Sequence, residues 1–261
     1  HPYRPIIAMA GIGLDHCEHL GDSLEKIAEE KSAVISSNST VISAPQHPKV
    51  EQVLHAVANK NNAKLNFVKP LTEEWDLGLP GLIQRNNAAV AKGALEALQA
   101  YGWTINKEKV REGLARAEWP GRLQKALWEG MPILLDCAHN PHAAEQLAIE
   151  RLGWAGQEYG VNWILAIQRH KDAPSMVNSL LKSSDSAWIV SIPGKESWTK
   201  EELILKCPDK LRQLNSAIDV EMALSEITEN QSWSKPSPVI TGSIYVIGAL
   251  IEKKIISLES N

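Results

Sequence analysis

An alternation of short apolar segments with amphipathic ones in the second half of the chain limits the fold more than any other feature. Five strand-like segments occur there in the order PILLDCA, NWILAI, AWIVSI, AIDV and SPVIT. Each is followed by a helix-like segment, and these helices are predicted to begin near 141, 173, 199, 221 and 244. Strands that alternate with helices are typical of a mostly parallel sheet with helices on both faces. The sequence therefore predicts a Rossmann-like α/β domain in this part of the chain.

The first part of the chain contains the same kinds of segment in a less regular order. Strands are predicted at PIIAMAGIGL, TVISAP and KLNFV, and helices at PKVEQVLHAVANK, RNNAAVAKGALEALQAYGW and KEKVREGLARA. A further helix is predicted from Asp22 to about Val34, because Asp22 and Glu25 have the spacing of a capping box. The rhythm changes after EWPGRLQ, so we place a domain boundary near 118–120, between domains 1–118 and 119–261.

Composition excludes several classes of protein. The net charge of −4 and the lack of a basic block give no reason to expect nucleic-acid or membrane-surface binding. Apolar runs reach only strand length, so no membrane span is predicted. We expect no signal peptide and no disulfide framework, because the three cysteines (Cys17, Cys137 and Cys207) are far apart. These features predict a cytoplasmic protein.

The segment LDHCEHL contains several residue types that bind metals. No second cluster of cysteine or histidine follows at zinc-ligand spacing, so a structural zinc site is not favoured. The preceding GIG is not a dinucleotide-binding loop, because His16 occupies the third glycine position. His16 lies just past the carboxyl end of a predicted strand, where open α/β sheets bind ligands. The alternative is an ordinary polar residue whose hydrogen bonds are made within the protein.

Lys31 interrupts the apolar stripe of the helix predicted after Asp22. Leu24, Ile27, Ala28, Val34 and Ile35 have helical spacing, and Lys31 falls on the same face. A buried ammonium is costly unless it is paired or neutralised. Two interpretations remain open: the stem packs at the edge of the core while the ammonium reaches solvent, or the amine lies in an interior site where it has a function.

Five motifs, taken in order, make the chain resemble the folylpolyglutamate synthase/dihydrofolate synthase family of Mur-ligase-like ATP-dependent enzymes. They are GIGLDHCEHLGDSLEKIAEEK, RNNAAVAKGALEAL, EWPGRLQ, LLDCAHNPHAAEQL and ITGSIYVIGAL. The resemblance implies that 1–118 is the C-terminal part of a P-loop-type Mur-ligase central domain. It also implies that 119–261 is a Rossmann-like glutamate-ligase domain.

The resemblance also assigns roles to residues of the first domain. His16 would be a ligand of Mg²⁺, and Lys31 would react with CO₂ to form a carbamate. Carbamylation needs a neutral amine, and burial lowers the pKa of a lysine towards that state. Asn87 would contact the base or ribose of ATP from the start of its helix, whereas helix capping is the ordinary function of the Asn86–Asn87 pair.

In the second domain the resemblance implies a set of nucleotide contacts. Arg122 would reach the phosphates, since a guanidinium suits phosphate recognition, but it is also compatible with an ordinary surface arginine. Asp136 would bind the ribose or the adenine edge, and His139 would approach the phosphate as a catalytic residue. The ordinary alternatives are that Asp136 caps the following helix and that His139 is a polar residue whose hydrogen bonds are made within the protein. We assign Asn140, before Pro141, to capping.

Lys171 and Asp172 resemble the end of another family motif, and we rank them as weaker substrate-side candidates. The implied reaction activates a folate or dihydropteroate carboxylate with ATP as an acyl phosphate, which the amine of L-glutamate attacks. Closure of the second domain would bring Asp136 and His139 over the nucleotide. We expect a monomer.

The sequence lacks the phosphate-binding loop of the family. PGKES at 193–197 does not match the motif, so we expect the chain to be a fragment that is inactive by itself. Two alternatives remain: a Mur-type peptidoglycan ligase, and a non-catalytic fragment that retains only the fold.

Overall fold

The chain divides between Glu118 and Trp119 into two units. A computed structural model describes residues 5–14, 23–230, 233 and 236–259. Each unit is built around its own β-sheet.

A three-stranded parallel sheet forms the centre of the first unit, with β2 between β1 and β3. The strands are β1 (Ile6–Met9), β2 (Thr40–Ser43) and β3 (Lys64–Phe67), and the helices are α1 (Leu24–Ser32), α2 (Pro48–Lys60), α3 (Leu82–Ala97) and α4 (Lys107–Ala115). Side chains alternate along a strand, so Val41 packs in the core with α1 and α2 while Ile42 packs against Val90 of α3. The strands and helices predicted for this part are present.

The ends of two helices in this unit differ from the prediction. Ser23 is the N-cap of α1, because its side chain accepts the N–H of Lys26, whereas Asp22 lies outside the described residues. Helix α1 ends at Ser32, before Val34. Helix α3 begins at Leu82, three residues before the predicted start, since Gly81 takes a φ of 106° that lets the chain turn into the helix.

A seven-stranded sheet forms the centre of the second unit, in the order β10-β4-β5-β9-β6-β7-β8. The strands are β4 (Gln124–Trp128), β5 (Met131–Leu135), β6 (Asn162–Leu165), β7 (Ser186–Ile189), β8 (Leu214–Ser216), β9 (Val239–Thr241) and β10 (Ser257–Leu258). The helices are α5 (Pro141–Glu150), α6 (Ala173–Leu180), α7 (Lys200–Lys206), α8 (Val220–Glu229) and α9 (Ile244–Glu252). Strands β5, β9, β6, β7 and β8 are parallel, so the predicted mostly parallel sheet is confirmed.

Apolar side chains cover both faces of this sheet. Helices α8 and α9 supply one core, for example through Leu224 and Ile247. Helices α5, α6 and α7 supply the other, for example through Leu147, Met176 and Leu203. Helices on both faces are the arrangement that parallel strands require, since such strands are buried on both sides.

One strand predicted for this unit is wrong, and two strands were not predicted. AIDV is not a strand: β8 ends at Ser216, and Asp219 caps α8 by accepting the N–H of Met222. Strands β4 and β10 were not predicted, and both pair in antiparallel fashion. Within the described residues, no helix is long and apolar enough to cross a bilayer.

Candidate functional site

The carboxyl end of β5 leads directly into a polar loop and the first turn of α5. The N–H of Asp136 still pairs with the carbonyl of Ile240 at 3.0 Å, so Asp136 ends the parallel ladder with β9. Asn140 caps α5 by accepting the N–H of Ala143 at 2.8 Å, with Pro141 at the first helical position. The predicted capping role of Asn140 is confirmed.

The Asp136 carboxylate is buried and is already hydrogen-bonded to backbone. Its side chain and main chain together are 9% exposed. Oδ1 accepts the N–H of Ala138 at 2.8 Å, and Oδ2 accepts the N–H of Leu123 at 3.1 Å. Burial raises the pKa of Asp136, and the two N–H donors and the positive charge of Arg122 act in the opposite direction. The carboxylate is therefore a structural acceptor at the strand end.

The turn that carries Arg122 has an unusual backbone that is tied to the end of β5. Gly121 and Leu123 have φ values of 72° and 46°. The Gly121 carbonyl accepts the N–H of Cys137 at 2.8 Å. A Cβ at position 121 would lie 2.5 Å from Sγ of Cys137, so the close approach requires glycine.

Arg122 itself is half-buried and its guanidinium is available for an external partner. None of the described residues forms a hydrogen bond or an ion pair with it. Its positive charge partly opposes the rise in the pKa of Asp136 that burial causes. A guanidinium held near a strand end without a protein partner can bind a phosphate or a carboxylate.

The ring of His139 is oriented by a backbone contact. Nδ1 lies 2.8 Å from the carbonyl oxygen of Cys137. Because a carbonyl only accepts, Nδ1 is the donor, and in the neutral ring Nε2 is the unprotonated nitrogen. The second unit thus places Arg122, Asp136 and His139, which the sequence predicted as site residues, around one strand end.

Lys171 and Asp172 follow β6 at the carboxyl edge of the same sheet. Asp172 caps α6 by accepting the N–H of Ser175 at 3.1 Å, which accounts for its position. Lys171 is 9% exposed, and its carbonyl accepts the indole N–H of Trp198 at 3.0 Å.

In the first unit, Lys31 is exposed, which agrees with the interpretation that its ammonium reaches solvent and not with an amine in an interior site. Ile27, Ala28 and Ser32 form the buried face of α1. The helix ends at Ser32, so Lys31 lies in the last turn, where solvent is accessible and a cation is favoured by the helix dipole. The described residues thus leave Lys31 in contact with solvent, and its carbamylation stays a prediction from the motif.

Asn87 is the other predicted site residue of this unit that the structure describes. Asn87 is in the second turn of α3, and its amide donates to Gln84 at 3.0 Å, so it neither caps nor starts the helix. His16 lies outside the described residues. Over the ranges that the structure describes, no group of three or more His, Cys, Asp or Glu side chains could hold a metal ion.

Sequence reasoning did not identify two residues that shape the site. Leu123 donates its N–H to Asp136, and Cys137 packs against Gly121. Their contacts join positions more than ten residues apart, and the only signal for them was the Pro-Gly pair before Arg122.

Comparison with known proteins gives the family. A model of the C-terminal domain of dihydrofolate synthetase matches residues 122–253, about half of the chain. The chain belongs to the dihydrofolate synthase/folylpolyglutamate synthase family. The dihydrofolate synthase/folylpolyglutamate synthase of Escherichia coli K12 is 28% identical to it, over 76% of this chain and 49% of that protein. A probable dihydrofolate synthetase of Schizosaccharomyces pombe is 27% identical, over 94% of this chain and 65% of that protein.

Solved structures of family members have the same fold. A Mycobacterium tuberculosis folylpolyglutamate synthase complexed with ADP and AMPPCP matches with a TM-score of 0.80 at 22% identity, over 96% of this chain and 64% of that one. Escherichia coli FolC in complex with DHPP and ADP matches with a TM-score of 0.74 at 24% identity, over 95% of this chain and 60% of that one. The predicted Mur-ligase-like fold is confirmed, and the chain spans about half to two thirds of the length of these family members.

Proposed function

We propose that the protein ligates L-glutamate to folate, to dihydropteroate or to both, with ATP as the energy source. Membership of the family supports this reaction, because its curated members include dihydrofolate synthases and folylpolyglutamate synthases. Structural relatives have been solved with ADP, AMPPCP, DHPP and folate. We also propose that the protein is a monomer in the cytoplasm.

The observation that carries the proposal is the guanidinium of Arg122 at the carboxyl end of β5. It has no hydrogen-bond or ion-pair partner among the described residues. Backbone hydrogen bonds to Asp136 and Cys137 hold the turn that carries it. Ligands bind at the carboxyl ends of strands in open α/β sheets. We assign the ATP phosphates to Arg122 and a phosphate contact to the oriented imidazole of His139.

The chemistry follows from the need to activate a carboxylate in water. A carboxylate oxygen of the acceptor attacks the γ-phosphorus of ATP, and ADP leaves. The amine of L-glutamate then attacks the carbonyl carbon of the acyl phosphate. Phosphate departs with the former carboxylate oxygen, and the nitrogen loses a proton as the amide forms. Arg122 would offset the negative charge on the phosphoryl group during transfer.

Mg²⁺ is implied by the family resemblance, and the described residues of this chain do not form a site for it. Magnesium would supply charge neutralisation at the phosphates. The proposals that His16 is its ligand and that Asn87 contacts the nucleotide rest on motif similarity alone, so we derive no step from them.

The proposed carbamate at Lys31 likewise rests on the motif, and it can be observed without measuring turnover. Protein equilibrated with ¹³C-labelled bicarbonate would show a carbamate ¹³C resonance that is missing from Lys31→Ala. We expect Lys31→Ala to lower amide formation strongly, with partial rescue by short carboxylates. Lys26→Ala, a nearby exposed lysine of the same helix, is the control. Wild-type turnover and an unchanged spectrum in Lys31→Ala would remove Lys31 from the site.

Arg122→Ala tests the nucleotide assignment. In the product of the complete open reading frame that encodes this chain, we expect the variant to lose at least tenfold in kcat/KM for ATP, about 1.4 kcal/mol of transition-state stabilisation. Arg212→Ala removes an exposed arginine of the same unit and should leave the rate unchanged. Glutamylated folate and glutamylated dihydropteroate are separated by mass spectrometry.

The same assay distinguishes the alternatives. Amide formation only with a peptidoglycan precursor would identify a Mur-type ligase. The absence of acceptor-dependent ADP formation with every acceptor would identify a non-catalytic protein that retains the fold. Equal rates for the wild type and Arg122→Ala would remove Arg122 from the phosphate site.

A further inference from the structure

The buried carboxylate of Asp136 joins two segments that lie apart in the sequence. Through the N–H of Leu123 it holds the turn that carries Arg122. Through the N–H of Ala138 it holds the start of the loop that carries His139. One side chain therefore fixes the backbone on both sides of the candidate phosphate site.

The turn needs such an external contact because its conformation is unfavourable by itself. Leu123 has a φ of 46°, in the left-handed region, which is strained for a residue with a side chain. A hydrogen bond to a carboxylate is strong enough to offset a strain of this size. The bond between Leu123 and Asp136 can therefore decide whether the turn keeps this conformation.

We propose that Asp136 is a positioning residue, which holds the Arg122 turn in the conformation that binds nucleotide phosphates, instead of itself contacting the ribose or the base. The proposal rests on the proposed ATP-dependent function for the identity of the ligand. Both carboxylate oxygens already accept backbone N–H groups, and the residue is almost fully buried. The Arg122 guanidinium, in contrast, has no described partner.

Asp136→Asn separates the two roles because it keeps the size of the side chain. An asparagine has one acceptor oxygen, so it can satisfy only one of the two N–H groups, and its amide nitrogen would face the other. The shorter bond is to Ala138, so we expect Leu123 to lose its partner. The asparagine can still hydrogen-bond to a ribose hydroxyl.

Hydrogen exchange of single amides tests the positioning role without any ligand. In the 261-residue chain, we expect Asp136→Asn to speed exchange at Leu123 at least tenfold. The amide of Ala166, which pairs with Thr241 in the same sheet, should keep the wild-type rate and so exclude general destabilisation. Unchanged exchange at Leu123 would overturn the proposal.

Binding of ADP and adenosine then tests what the turn is for. A positioning role predicts that Asp136→Asn weakens ADP binding at least tenfold, leaves adenosine binding unchanged, and has no further effect in an Arg122→Ala background. A direct contact with the ribose or the base predicts the same change in affinity for both ligands, small where the asparagine keeps the contact, and additive with the effect of Arg122→Ala. The second pattern would overturn the proposal.

The two tests keep this inference distinct from the proposed function. If the wild-type chain binds neither ADP nor ATP while the exchange of Leu123 responds to Asp136→Asn, the role of Asp136 in the turn stands and the nucleotide assignment fails. If nucleotides bind and the exchange of Leu123 does not respond, the nucleotide assignment stands and the positioning role fails.

Discussion

Cys137 shows how closely the candidate site is packed. Its thiol is buried against Gly121, and burial raises its pKa from 9.0 to about 11, with the charge of Asp136 acting in the same direction. Thiolate is the reactive form of cysteine. A pKa two units higher leaves about one hundredth as much thiolate at pH 8. Cys137 is therefore an inert packing residue.

This environment predicts slow reaction of Cys137 with a thiol reagent. In a Cys17→Ser, Cys207→Ser double variant, we expect iodoacetamide to modify folded Cys137 at least a hundredfold more slowly than urea-unfolded Cys137, as followed by mass spectrometry. The rate should rise with pH towards the raised pKa. Modification of the native protein at the unfolded rate would show that the Cys137 thiol is accessible to solvent and is not buried against Gly121.

At the residue scale, the sequence predicted the position of the strand-end side chains correctly and left the exposure of Lys31 open. Asp136 and His139 follow an apolar run, which placed them at the end of a strand, whereas their roles as site residues came from the family resemblance. The periodicity that placed Lys31 inside holds only while the helix continues, and α1 ends one residue later. Contacts such as that between Gly121 and Cys137 depend on the folded sheet, and no local pattern indicates them.

At the element scale, a buried ion pair joins α5 to the start of β7. Arg151, just after α5, is 0% exposed, and its guanidinium donates to both oxygens of Asp185 at 2.5 and 2.9 Å. Asp185 also accepts the N–H groups of Val161 and Lys182 and the indole N–H of Trp163. One carboxylate thus fixes the loops before β6 and β7.

Removal of this charge should destabilise the unit strongly. Asp185→Asn leaves the buried guanidinium unpaired, and we expect it to lower the free energy of unfolding by about 3–5 kcal/mol in urea titrations. Asp209→Asn is the matched control, since Asp209 is 69% exposed and lies 3.7 Å from Lys210; it should cost no more than about 1 kcal/mol. Equal losses for the two variants would show that the Arg151–Asp185 pair contributes no more than a surface contact.

The helices and parallel strands were predictable because each carries its own apolar pattern. Strand β4 was missed because it is only five residues long and its apolar part, from Ala126 to Trp128, does not alternate with polar residues. The turn to β5 consists of Glu129 and Gly130, both at positive φ, which is a hairpin turn with a weaker sequence signal than Asn-Gly. Strand β8 was placed wrongly because it lies at the edge of the sheet, where a strand does not need the long apolar run that marks a central strand.

At the scale of the whole molecule, the second unit has the features of an independently folding domain. Its sheet is covered on both faces by separate apolar cores, and a family model of a C-terminal domain matches most of it. We predict that a polypeptide of residues 119–261 folds alone, with a cooperative urea transition and slow amide exchange in β6 and β9. A non-cooperative transition with rapid exchange in these strands would show that the unit needs the rest of the chain.

The fate of the carboxylate oxygen of the acceptor tests the proposed ligase reaction most directly. The product of the complete open reading frame is supplied with ATP, L-glutamate and folate or dihydropteroate carrying ¹⁸O in the carboxylate, and the released phosphate is examined by ³¹P NMR. An acyl phosphate predicts one ¹⁸O atom in each phosphate formed with an amide. Glutamylated product accompanied by unlabelled phosphate would contradict it.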